Sequence, residues 1–241
     1  MPRLTPVTDT SPADWIVAEL TTFGESVLSL VPSRFSAYLR VFHPARRFIG
    51  DAEVPVRWSE IAAACGMSVS AGMQLFALTR GMRFAHDSYT GVYDYGPLEG
   101  SIPEELVRPL AERLARHTTT PEHCWFAIWH GFGGARADLQ PAPTFHLPAR
   151  DYHLLVGAVD AVTESALEPG LGYQSASLWW PEDRAWCVAT EIDLNTTYVA
   201  CTDACREDLL AAPELETLAI DPGTPIDIFG DPLNPAHEEW L

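Results

Sequence analysis

Residues 124–131 read CWFAIWHG, apolar at every position from Cys124 to Trp129. A strand with one wet face alternates polar and apolar residues with period two. An unbroken apolar run of this length, rich in aromatics, predicts a central strand. Further strand-like runs follow at Tyr152–Val159, which also reads as a helix broken by Gly157, and at Ala185–Ile192, Thr196–Cys201 and Leu215–Ile220. Helix signals concentrate earlier. Ser11-Pro12-Ala13-Asp14 has the form of a helix start. It predicts a helix to about Leu30, with Trp15, Leu20, Phe23, Val27 and Leu30 close to one face. Trp58–Cys65 reads as a short helix closed by Gly66. Ser101-Ile-Pro-Glu104 has capping-box spacing and predicts a helix to Arg116 that buries Leu106, Leu110 and Leu114. Between these, 34–42 alternates as a half-buried strand would, and 46–56 reads as a loop. Asp203–Ala211 is a last helix, capped by Thr202 or Asp203, and the proline-containing tail from Asp221 is irregular. Together these readings predict an α+β fold. A mainly antiparallel sheet comes from the C-terminal half, with helices from the N-terminal half packed against it. The expected division is a helix-rich 1–117 and a strand-rich, acidic 118–241 within one compact unit.

Charge narrows the partners. The chain carries 33 acidic residues against 15 basic ones, all arginine, for a net charge of −18. Residues 121–241 hold 20 of the acids and only four arginines, Arg136, Arg150, Arg184 and Arg206. Nucleic acid and anionic membrane are excluded as main partners by that balance. The asymmetry points to a basic protein partner, to an acidic, well-solvated surface that keeps the chain soluble, or to internal pairing with Arg34, Arg40, Arg46, Arg47 and Arg57. The opening MPRLTPVTDTSPADW lacks the apolar core of a secretory leader. Five cysteines in irregular spacing read as reduced thiols. The expected location is therefore cytoplasmic.

Three segments are distinctive: PEHCWFAIWHGFG from Pro121, LPARDYHLLVG from Leu147, and LWWPEDRAWCVATEIDLNTTY from Leu178. In this order they resemble a family of uncharacterised actinobacterial proteins with CWF-x-x-W, LP-x-R-x-Y-H-L and WWP-x-DRAWCVATEID segments. The resemblance covers about residues 118–220. It implies a lineage and an order of segments, and no activity.

The densest cluster of unusual residues is Trp179-Trp180-Pro181-Glu182-Asp183-Arg184. Adjacent residues of an extended segment point to opposite sides, so two tryptophans cannot enter one core together. The functional reading is a pocket rim, with Trp179 or Trp180 as a platform, Arg184 as an anion clamp, and Glu182 or Asp183 as acid or base. The structural alternative is a buried Arg184–Asp183 pair with both tryptophans in the core. Glu191 and Asp193, two apart, read as a carboxylate pair on a solvated strand face. His130 and His153 lie in neighbouring strand-like segments and could meet across a sheet; His43, His86, His117, His123, His146 and His237 form no helical ligand pair. Cys201 and Cys205 supply at most half of a zinc site, so neither metal nor cofactor is expected. No nucleophile elbow, phosphate loop or metalloprotease motif occurs.

The leading expectation is a non-enzymatic protein-interaction or regulatory protein, immunity-like, that engages a partner through its acidic C-terminal half. The alternative is an enzyme with a small-molecule pocket lined by Trp179, Trp180, Tyr152, His153 and Arg184. Asp183, Glu182 or His130 would then move the proton. A third option is a module that binds a small ligand without chemistry.

Overall fold

A computed structural model describes residues 3–81, 88, 89 and 91–236; His86 and His237 lie outside them. The fold is α+β with an antiparallel sheet. Eleven strands are described: β1 (Thr5–Pro6), β2 (Ala37–Phe42), β3 (Ala45–Ile49), β4 (Ala52–Val56), β5 (Cys124–Trp129), β6 (Thr144–Leu147), β7 (Arg150–Gly157), β8 (Leu178–Pro181), β9 (Cys187–Ala189), β10 (Thr196–Cys201) and β11 (Thr217–Ala219). The helices are α1 (Asp14–Glu19), α2 (Trp58–Cys65), α3 (Leu75–Leu78), α4 (Glu104–Leu114) and α5 (Asp203–Leu210). None is long and apolar enough to cross a membrane.

Nine strands form one sheet in the order β1-β7-β5-β8-β9-β10-β2-β11, with β6 added beside β7. All its pairings are antiparallel. β3 and β4 make a separate hairpin. Strands from both halves share the main sheet: β2 lies between β10 and β11. Each face carries its own apolar layer. One joins Phe126, Trp179, Val188 and Val199 to α4, α5 and residues 159–166. The other joins Ala127, Tyr152, Trp180 and Tyr198 to Trp15, Ile16, Leu20, Val27 and Leu30. The central strands are therefore buried on both sides, which is why β5 has no alternation.

The same two-sided cover corrects two expectations. β2 is buried at all six positions, although its sequence alternates. Its Arg40, 2% exposed, donates to the carbonyls of Ala71 and Met73 at 3.0 and 2.8 Å. Those carbonyls replace water, and its guanidinium packs over Phe42, 4.9 Å from the ring centre. The helix expected to run to Leu30 ends at Glu19. Leu20 is extended and Gly24 has φ +72°. Leu20, Val27 and Leu30 still bury, so the apolar spacing reports contact with the sheet rather than helical pitch.

Local chemistry accounts for other differences. Residues 45–56 form a hairpin, not a loop, turning through Gly50-Asp51 with Gly50 at φ +62°, a two-residue turn that favours glycine. α4 starts after Pro103 without a side-chain cap. Ser101 is buried and accepts from the Ser175 N–H at 2.9 Å instead of capping. α2 is capped from a distance: the Glu216 carboxylate accepts the N–H groups of Trp58 and Ser59 at 2.7 and 2.8 Å. That places a negative charge on the positive end of the helix. Thr202 caps α5 as predicted, accepting from the Cys205 N–H.

Candidate functional site

The two-sided sheet disperses the tryptophan–carboxylate cluster. Trp179 and Trp180 are neighbours in β8, 0% and 1% exposed, and they enter opposite layers. Trp179 lies against Phe126 and Trp186 with ring centres 6.1 and 5.1 Å apart. Trp180 meets Trp15 edge-on at 6.1 Å. Neither is available as a platform. Glu182 accepts from the Trp125 indole N–H. Asp183 is a turn organiser. It takes Thr118 Oγ1 at 2.8 Å, the Thr119 N–H and Oγ1 at 2.7 Å, and the Ala185 N–H at 3.2 Å. Burial pushes its carboxyl up, but these donors outweigh that and hold it below the ordinary carboxylate range. The buried Arg184–Asp183 pair does not form. Arg184 is exposed, at φ +56°, with its guanidinium 5.4 Å from the Trp15 ring centre.

His130 and His153 do meet. Ile128 pairs with His153 in the β5–β7 register, which puts His130 just beyond the strand end on the same face. His130 Nδ1 lies 2.8 Å from His153 Nε2. His153 is buried, and burial followed by the nearby His130 lowers its pKa, against the carbonyls of Pro143 and Ala142. The pair faces away from Tyr152, the alternate residue of β7. No group of three or more His, Cys, Asp or Glu side chains placed to hold a metal occurs among the described residues. Cys124 and Cys187 are buried thiols, and burial is the main cause that pushes Cys124 up to about 12.

A cleft forms where the irregular segment 20–30 crosses the layer that contains Tyr152. It is narrow, with a volume of about 30 Å³, room for one or two water molecules. Leu20, Leu30, Leu147, Pro148, Leu178 and Ala189 supply apolar walls, and Phe23 stands at the lip. Its polar end combines Tyr152 with Glu191 and the neighbouring Arg150. Arg150 Nε donates to Glu191 Oε1 at 3.0 Å, and its NH2 group donates to Asp193 Oδ2 at 2.7 Å. The guanidinium lies 5.1 and 5.4 Å from the ring centres of Phe23 and Trp129, within cation–π range. Glu191 Oε2 accepts the Asp193 N–H at 2.6 Å. Arg150 follows the Pro148-Ala149 turn that joins β6 to β7, where Ala149 takes φ +66°. Strain of this kind, about 1 kcal/mol for a non-glycine residue, gathers where a side chain must be aimed.

Tyr152 is 5% exposed. Burial first, then the Glu191 charge, pushes its phenol far up, so it stays protonated. Its hydroxyl has no hydrogen-bond partner among the described residues. Tyr152 was among the residues expected to line a pocket, and the Glu191–Asp193 pair was visible by its spacing. Arg150 could have been found in the LP-x-R-x-Y-H-L segment, where it is two residues from Tyr152. Phe23 and Trp129 carry no local signal: each joins the site through chain crossings.

No protein family, curated protein or solved structure matches the chain.

Proposed function

We propose that this chain is a binding protein that holds a small molecule in the cleft beneath residues 20–30 without transforming it. One observation carries the reading. An apolar cleft ends on Tyr152 and on Glu191, a carboxylate already committed to Arg150. The electrostatics favour holding over proton transfer. A phenol pushed far above its ordinary range is a poor acid near neutrality. Glu191 has a donor on each oxygen, from Arg150 and from the Asp193 N–H.

The test is protein-observed NMR titration with small apolar fragments of about three heavy atoms, such as ethanol, a size matched to the narrow cleft. Shifts are expected at residues 20–30, 147–152 and 189–191. Thr22→Trp, which fills the lip, removes them without changing the thermal midpoint. Failure of every fragment to bind, or binding that survives Thr22→Trp, overturns the proposal.

A second reading is a regulatory protein that takes a basic protein on its acidic second half. It is supported by the excess of 20 acids over four arginines in residues 121–241. Several of those acids serve the chain's own turns and ion pairs. Asp208 pairs with Arg113, Asp138 with Arg136, and Asp221 and Asp227 accept backbone N–H groups. Association that weakens steeply with salt is the expected signature of this reading. Affinity that is the same at low and high salt counts against it.

A further inference from the structure

The face of β7 turned away from Tyr152 carries a second site, independent of the cleft. We infer that His130 and His153 form a two-histidine site for a divalent metal ion of the class that imidazole prefers, copper(II) or zinc, with water completing its coordination.

The geometry needs little adjustment. His130 Nδ1 and His153 Nε2 are 2.8 Å apart, on rings inclined at 56°. Two imidazoles on a tetrahedral zinc hold their nitrogens about 3.3 Å apart, so the rings must part by only about 0.5 Å. Both residues stand on paired backbone. His153 lies between Ile128 of β5 and Thr144 of β6, and the His130 N–H donates to the Asp151 carbonyl at 2.8 Å. One proton lies between the two ring nitrogens, and it must leave before both can hold a metal. If His130 supplies it, the second nitrogen of that exposed ring takes it. If His153 supplies it, it moves to Nδ1, which is buried without a hydrogen-bond partner in a ring that faces the carbonyls of Pro143 and Ala142. A proton there completes the arrangement usual for a metal-bound histidine, whose outer nitrogen donates to a carbonyl. Both rings stay neutral on either route. The surroundings favour a cation. Asp151 projects from the same face of β7 as His153; it is committed to His146, 2.9 Å away, and adds negative charge without serving as a ligand.

Zinc chloride is titrated into the full chain, with magnesium chloride as the control, and the histidine ring signals are followed by NMR. Magnesium prefers oxygen ligands and keeps its water, so it should leave both rings unmoved. Zinc is expected to shift the ring signals of His130 and His153 together, at lower concentration than those of the other histidines. His130→Asn, a change at an exposed position, should weaken zinc binding at this place at least about tenfold, the loss usual even for a supporting group around a metal. Rings of His130 and His153 that stay still while other histidines shift would mean adventitious surface binding and would overturn the inference. Equal shifts with magnesium, or zinc affinity retained in His130→Asn, would overturn it too. The wild-type titration needs no variant and decides the matter alone if His130→Asn misfolds.

Discussion

Replacing Trp180 by alanine, and Trp179 separately, probes the feature on which every other position in this fold depends. A tryptophan side chain removes about 200 Å² from water when buried. At about 25 cal/mol per Å² that is about 5 kcal/mol. The alanine Cβ stays buried, and a compact unfolded chain has already hidden part of the ring, so the loss falls to about 3–4 kcal/mol. Loss of the Trp15 edge contact adds about 1 kcal/mol for Trp180→Ala. Trp179→Ala loses two ring contacts, with Phe126 and Trp186. It also removes an indole N–H that is buried without an acceptor, so its net cost is similar. The chain has eight tryptophans, and the remaining seven report unfolding by fluorescence in a urea titration. Both single variants should lower stability by about 3–5 kcal/mol. Their effects should nearly add, since the two rings sit in separate layers across the sheet. A loss below about 1 kcal/mol for either would mean that ring faces solvent. The two-sided sheet would then be wrong, and Trp179–Trp180 would return as a surface anchor.

Other consequences follow from single contacts. His43 is fully buried, with Nδ1 2.8 Å from the Leu98 carbonyl and Nε2 2.9 Å from Thr197 Oγ1. Burial is the main cause that lowers its pKa from 6.5 to about 4. The unfolded chain therefore binds a proton that the native state refuses. Stability should fall by up to about 3 kcal/mol as the pH drops from 6.5 to 4. Urea midpoints across that range should show a shallower slope in His43→Gln, with the part due to His153 remaining; an identical slope would refute the assignment. Glu216→Ala should cost about 1–2 kcal/mol by uncapping α2, read as a shift in urea midpoint, whereas no shift would mean that water caps the helix equally well. A Cβ at Gly100 would lie 2.6 Å from the Ile192 carbonyl oxygen, and Gly100 has φ +73°. Gly100→Ala should therefore lower the thermal midpoint by several degrees, an effect of more than about 1 kcal/mol.

Much of the strand content was legible because burial writes itself into composition. The run of β5, the β-branched content of β10 and the leucines of α4 each name their environment without reference to the rest of the chain. Thr202 capped α5 because a cap is made within four residues. Legibility failed where the deciding partner was remote. Ser101 had the spacing of a cap but found Ser175. Residues 20–30 had helical apolar spacing but met a sheet, which accepts any spacing that reaches it. Arg40 alternated like a surface residue, yet carbonyls of residues 71 and 73 closed over it.

The site divides in the same way. The sequence by itself determined an α+β chain with antiparallel strands, an apolar central strand and an acidic second half. These follow from local propensity and from the composition of each segment. It also contained Tyr152 and the Glu191–Asp193 pair as chemistry without a place. Only the tertiary structure decided that Trp179 and Trp180 part to opposite layers, that His130 reaches His153, and that Arg150 lies between Phe23, Trp129 and Glu191. Those juxtapositions come from strand order and register, set by the sum of many long-range packings. No window of the chain contains that sum, because the residues it brings within hydrogen-bond reach are tens of positions apart.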